Sequence, residues 1–171
     1  MWEAIAAEAA AESPVWGDAL VPAGRRTARP VFSALAPPEL ALGVETIYEG
    51  YLVHFGRPRL FEPPDDDTAL LLGDYLYANG LVHVATTGDV SAVADLAELI
   101  ALCAQSRAEG RRGDAAAWAA TCAHLGRDGL GGVRDALRLR GESDVLERAA
   151  RAAAGDAAVD DAFAAHAVLV G

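Results

Sequence analysis

Residues 45–80, ETIYEGYLVHFGRPRLFEPPDDDTALLLGDYLYANG, hold two helices and the corner between them. Glu45 and Glu49 stand four apart, so on a helix their carboxylates project from one face, one above the other. The first helix is expected over 39–55, with Leu42, Glu45, Tyr48, Glu49 and Leu52 on one broad face and Pro38 near its start, where proline is tolerated. Gly56-Arg57-Pro58 stops it, because proline lacks an N–H and pushes the residue before it out of the helical region. Leu60 to Pro64 reads as extended chain or loop. Asp65-Asp66-Asp67 then leads into the second helix, with Asp67 expected as its N-cap. That helix is expected over 68–87, wrapped by Leu71, Leu72, Tyr75, Leu76, Asn79, Val82 and Val84. Gly73 and Gly80, seven apart on one side of it, permit close helix contact at some loss of helix propensity.

Working outward, Gly88-Asp89 ends this helix and caps the next, expected from Val90 to Ala108 with Val93, Leu96, Ala97, Ile100 and Cys103 buried. Gly110-Arg111-Arg112-Gly113 is a turn, and Asp114 is expected to cap a helix to Leu125 with Trp118, Cys122 and Leu125 inward. The glycines from Gly126 to Gly132 form a loose connection to three short helices around 133–140, 143–154 and 157–170. Upstream, Trp2 to Glu12 reads as an Ala-rich helix ended by Ser13-Pro14, Trp16 to Ala23 as loop, and Pro37-Pro38 as a break before the Glu45 helix. The whole is an all-α pattern, a helical bundle.

A length of 171 residues suits one domain with a real core. No apolar run approaches the roughly 18 residues of a membrane span, and the N-terminal MWEAIAAEAAAE carries acids where a leader has bases. A soluble, cytoplasmic protein is the expectation. A net charge of −11 argues against nucleic acid and against anionic membrane surfaces as partners. Cys103 and Cys122 lack metal-site spacing and are expected to be small buried apolar residues. His83, His124 and His166 are scattered over separate helices and are expected as core or half-exposed histidines, not ligands. There is no G-x-x-x-x-G-K-S/T loop and no Ser or Cys nucleophile with a recognisable base.

The order of acid pair, Gly-Arg-Pro corner and Gly-Asp-Tyr-Leu helix resembles the middle of the trans-isoprenyl diphosphate synthases, all-helical enzymes that extend polyprenyl chains. Placing Gly73-Asp74 on that family's G-D puts Gly56-Arg57-Pro58 on its G-K-P and Glu45-Thr46-Ile47-Tyr48-Glu49 on its D-D-x-x-D, without a gap. Gly24-Arg25-Arg26-Thr27-Ala28-Arg29-Pro30 is similar to its G-G-K-R-x-R-P segment, whose basic side chains hold isopentenyl diphosphate with forked donors. DAAAWAATCAHLG is similar to its K-T-A-A-L-F…L-G helix. The resemblance spans residues 24–126. It implies the first part of the isoprenoid synthase fold, diphosphate contacts at Arg25, Arg26, Arg29 and Arg57, and magnesium ligands at Glu45 and Glu49.

Departures from the family bear on the chemistry. Ionising an allylic diphosphate requires magnesium held by oxygens in near-octahedral geometry. Here Thr46 removes one acid, His54-Phe55 replace two arginines, Asp114 stands at a lysine, and no second aspartate-rich motif follows Gly126. No catalytic residue is assigned. The resemblance then implies a non-catalytic subunit that pairs with a prenyl diphosphate synthase chain, with the helices near Glu45 and Thr68 packed on that partner. Two alternatives stand beside it. One is an active magnesium-dependent prenyltransferase condensing isopentenyl diphosphate with an allylic diphosphate; the other is a stand-alone helical module with an apolar groove for a prenyl tail or a partner helix.

Overall fold

In the computed structural model, which describes residues 1–127 and 130–170, side-chain caps from Ser13, Asp65 and Asp89 start three of the helices. The helices are α1 Trp2–Glu12, α2 Pro14–Asp18, α3 Ala41–Phe55, α4 Asp66–Ala85, α5 Val90–Ala108, α6 Asp114–His124, α7 Gly131–Arg140, α8 Asp144–Ala154 and α9 Asp156–Val170. Three 3₁₀ turns, Ala23–Arg25, Ser33–Leu35 and Pro38–Leu40, carry the chain from α2 to α3. Among the described residues there is no strand, only an isolated antiparallel bridge between Leu20 and Phe61. The all-α expectation holds.

Several boundaries move for local reasons. Asp65, not Asp67, caps α4, its carboxylate accepting from the Thr68 N–H at 2.7 Å, so the helix starts at Asp66. Asp89 caps α5 as expected, accepting from the Ala92 N–H at 2.9 Å. Trp16 lies in a helix where a loop is expected, because Ser13 accepts from the Val15 N–H and Pro14 occupies a first-turn position that tolerates proline. Pro38–Leu40 forms its own 3₁₀ turn, which delays α3 to Ala41. Gly113, at φ 142°, is the N-cap of α6, and Asp114 is its first helical residue instead of its cap. The glycine connection expected over 126–132 includes residues 128 and 129, outside the described residues; Gly131 and Gly132 open α7.

α3 is the axis of the molecule, with every residue from Gly43 to Leu52 buried. α4 seats against it through two glycine pairs. A Cβ on Gly43 would lie 2.8 Å from the Gly80 carbonyl and 2.5 Å from Val84 Cγ2, and one on Gly50 would lie 2.9 Å from the Gly73 carbonyl. Glycine at all four positions lets the backbones approach to a distance no side chain would allow. The main core gathers Phe32, Tyr48, Tyr51 and Trp118, with Phe32 stacked on Trp118 at 5.6 Å between ring centres and Tyr48 edge-on to Trp118 at 5.0 Å. Cys103 and Cys122 are buried there as free thiols, and burial pushes both thiol pKa values well up. A smaller cluster of Ile5, Ala9, Leu60, Phe61, Leu72 and Leu76 fastens α1 to α4.

One face of the hairpin α4–α5 stays uncovered. Leu71 and Val82, from the apolar surface expected around this helix, are 63% and 59% exposed, and Asp74, Ala78 and Ala85 share their face. On α5, Ala97, expected to be buried, is exposed, and Ala94, Ala101, Ala104 and Ala108 are exposed with it at alternating spacings of three and four. Among the described residues, no helix is long and apolar enough to cross a membrane.

Candidate functional site

Glu45 and Glu49 do point the same way from α3, and what they meet is Arg59. After the Gly56-Arg57-Pro58 corner the chain doubles back across α3, which brings the Arg59 guanidinium between the two carboxylates, all three side chains fully buried. Every carboxylate oxygen is engaged. Glu45 Oε1 accepts from the Val31 and Ser33 N–H groups at 3.0 and 3.2 Å, and its Oε2 from Arg59 Nη1 at 2.6 Å. Glu49 Oε1 accepts from the Arg59 and Leu60 N–H groups at 2.7 and 2.8 Å, and its Oε2 from Arg59 Nε at 2.9 Å. The guanidinium also donates to the Arg29 carbonyl at 3.0 Å and lies 4.6 Å from the Trp2 ring centre. Burial alone would lower the Arg59 pKa, but Glu45 and Glu49 outweigh it and hold it up.

This donor set does not fit magnesium. A hard cation needs several open oxygens and room for its waters, whereas here a fixed positive charge and four backbone N–H groups already occupy the lone pairs. The implied metal ligands are instead the acidic half of a buried ion triad. Arg59 carried no motif to mark it, although two carboxylates on a buried helix face require a cation to meet them.

Three of the four arginines expected at diphosphate have partners within the chain. Arg25 is exposed and lies 3.8 Å from Glu62. Arg26 donates through Nε to the Val21 carbonyl at 2.8 Å and through Nη1 to Glu3, which ties the segment before α3 to α1. Arg29 is exposed and contributes its carbonyl to Arg59. Arg57 donates its backbone N–H to the Leu169 carbonyl at 2.8 Å and its guanidinium to the Val168 carbonyl, fastening the corner to the end of α9.

A second charged cluster lies further along α3 and opens on a cleft of about 520 Å³. Its hub is Asp114. Tyr51 Oη donates to Asp114 Oδ2 at 2.5 Å, Arg107 Nε donates to the same oxygen, and Arg107 Nη2 donates to Tyr51 Oη at 2.7 Å. Burial first, and then the neighbouring Asp114 charge, push the Tyr51 phenol far up, so it stays a donor. Asp114 Oδ1 is buried and has no hydrogen-bond partner among the described residues. Beside it His166 joins its Nδ1 to Tyr48 Oη at 2.9 Å, and burial brings its pKa down to about 4, so the ring is neutral near pH 7. Arg111 is spent on structure, donating to the Leu137 and Arg138 carbonyls at the end of α7 and pairing with Glu109 at 2.8 Å.

From sequence alone Asp114 stood only as a cap and a reversed charge. Its burial follows from α6 packing its first turn against Tyr51, a contact between residues 63 apart that leaves no local signal. Among the described residues, no group of three His, Cys, Asp or Glu side chains is placed to hold a metal ion. No protein-family model, curated protein or solved structure matches the chain.

Proposed function

We propose that this chain is a degenerate relative of the trans-isoprenyl diphosphate synthases and acts as a non-catalytic partner subunit of a prenyl diphosphate synthase in isoprenoid biosynthesis. The observation that carries this reading is Arg59. In the register that aligns Glu45 and Glu49 with the family's first aspartate-rich motif, a guanidinium sits where such an enzyme would hold magnesium. An all-helical fold fits this reading. α3 itself is wrapped within the chain and offers no face to a partner, so that part of the expected docking moves to α4 and α5. Their uncovered face of Leu71, Val82 and alanines, with Asp74 within it, offers small side chains for helix contact with another chain.

The test has two arms. Co-expression with a full-length prenyl diphosphate synthase should give a complex that co-purifies, and replacing Val82 and Ala101 with arginine should abolish it. The isolated chain, given an allylic diphosphate, isopentenyl diphosphate and magnesium, should make no longer product. Elongation by the isolated chain, or failure to associate with any such synthase, contradicts the proposal.

A further inference from the structure

The cleft at the start of α6 is lined by hydrogen-bond donors that the fold leaves unused. The first-turn amides of Asp114, Ala115 and Ala116 have no acceptor among the described residues, and the N-cap Gly113 has no side chain to supply one. These amides are the positive end of an 11-residue helix.

A second observation does not depend on the helix end. His166, 7% exposed, lines the cleft from α9 and meets Tyr48 Oη through Nδ1 at 2.9 Å. Burial pushes the Tyr48 phenol far up, so it keeps its proton, and Nδ1 is the acceptor in reach of that hydrogen. The phenol therefore donates, and the neutral imidazole carries its own proton on Nε2. That N–H has no acceptor among the described residues, and unlike Asp114 Oδ1 it is not sealed from the cleft.

Charge decides what these donors can meet. Arg107, Arg111 and Arg112 line the cleft against Asp114 and Glu147, which leaves one positive charge in excess. Asp114 turns its carboxylate inward, with Oδ2 held by Tyr51 and Arg107 and Oδ1 sealed in the protein. Glu147 pairs with Arg151 at 2.9 Å, and Arg111 with Glu109 at 2.8 Å. Arg112 is exposed and enters no ion pair among the described residues, so its forked donors are available. A dianion would set its second charge against Glu147, whereas a single carboxylate matches the one uncompensated guanidinium. Phe163 and Val170, both half-buried, add an apolar wall, and a volume of about 520 Å³ falls in the range of small-molecule sites.

We propose that this cleft binds a monocarboxylate with an apolar body, its two oxygens shared among the Arg112 guanidinium, the His166 Nε2–H and the first-turn amides of α6. The site uses neither the α4–α5 face nor a partner, and a chain that ignores every synthase would still bind here.

The test is calorimetric titration of the full chain at about pH 8, where a phosphate monoester is a dianion, with amide spectra recorded alongside. The probes are 3-phenylpropionate, its neutral amide 3-phenylpropionamide, and phenyl phosphate. Phenylpropionate should bind at least about tenfold more tightly than the amide, the ratio expected for hydrogen bonds to a charged group, and more tightly than phenyl phosphate. The shifts it causes should fall on the amides of Asp114 to Ala116 and on the His166 ring. Arg112→Ala, at an exposed position, should keep the wild-type melting temperature and weaken phenylpropionate by about tenfold. The proposal is overturned if phenylpropionate does not bind at millimolar concentration, if the amide or phenyl phosphate binds as tightly, if the shifts lie elsewhere, or if Arg112→Ala binds unchanged.

Discussion

Two buried carboxylate clusters contact α3, one through its own Glu45 and Glu49 and the other through Tyr51, and they differ in how fully their oxygens are met. At the Glu45–Glu49–Arg59 cluster four carboxylate oxygens receive six hydrogen bonds, every oxygen with at least one. At Asp114 one oxygen receives two and the other none. The first cluster is closed over on all sides, whereas the second lines an open cleft. Complete satisfaction turns charged side chains into a structural fastener, while a buried acceptor left without a donor costs stability. Residue type does not separate the two cases; the count of donors does.

Removing the cation from the closed cluster should have the largest effect. Arg59→Met leaves two buried carboxylates facing each other and should lower unfolding free energy by about 3–5 kcal/mol, read from urea denaturation. A loss below about 1 kcal/mol would mean that water reaches the pair and that the cluster is not closed. At the open cluster, pH is the sharper tool. The folded pKa of His166 lies near 4, below its usual value of about 6.5, so the unfolded chain binds more protons between the two. Stability linked to this ring is therefore fully present above about pH 6.5 and lost as pH falls towards 4, by roughly 3 kcal/mol. Burial also lowers the His54 pKa, against the pull of Asp74, so His166→Asn should flatten only part of the slope in urea midpoints between pH 4 and 7.

Two smaller effects separate packing from charge. Gly80→Ala places a Cβ 2.5 Å from Ile47 Cγ1 and 2.8 Å from the Gly43 carbonyl, and should cost about 1–3 kcal/mol by prying α4 off α3. Gly132→Ala, where a Cβ meets nothing, should be neutral or slightly stabilising, and equal losses at the two sites would break the close-packing claim. Tyr51→Phe removes one of the two donors to Asp114 Oδ2 while Arg107 keeps the other, for a loss of about 1–2 kcal/mol in thermal denaturation.

Much of the frame was legible because it is written locally. Gly88-Asp89 fixes the start of α5 through a side-chain cap, Gly73 and Gly80 mark the contact face of α4, and the spacing of Glu45 and Glu49 fixes their common direction. The partners of those features were not legible. Gly43 and Gly50 complete the glycine pairs from another helix, and Arg59 reaches its carboxylates only because the corner reverses the chain. The sequence shows apolar residues all around α4 without saying which are covered; Leu71 and Val82 stay exposed because the side that α3 covers is set by tertiary packing. Asp114 shows the same limit, since its burial depends on Tyr51, a residue far away in sequence.

The most direct measurement is the melting temperature of the wild-type chain with and without millimolar magnesium. A ligand that binds the folded state alone must raise it. With Arg59 holding both carboxylates the melting temperature should not move, beyond what the same ionic strength of sodium chloride produces. A rise specific to magnesium, lost in Glu45→Gln, would show that the acid pair is a metal site after all.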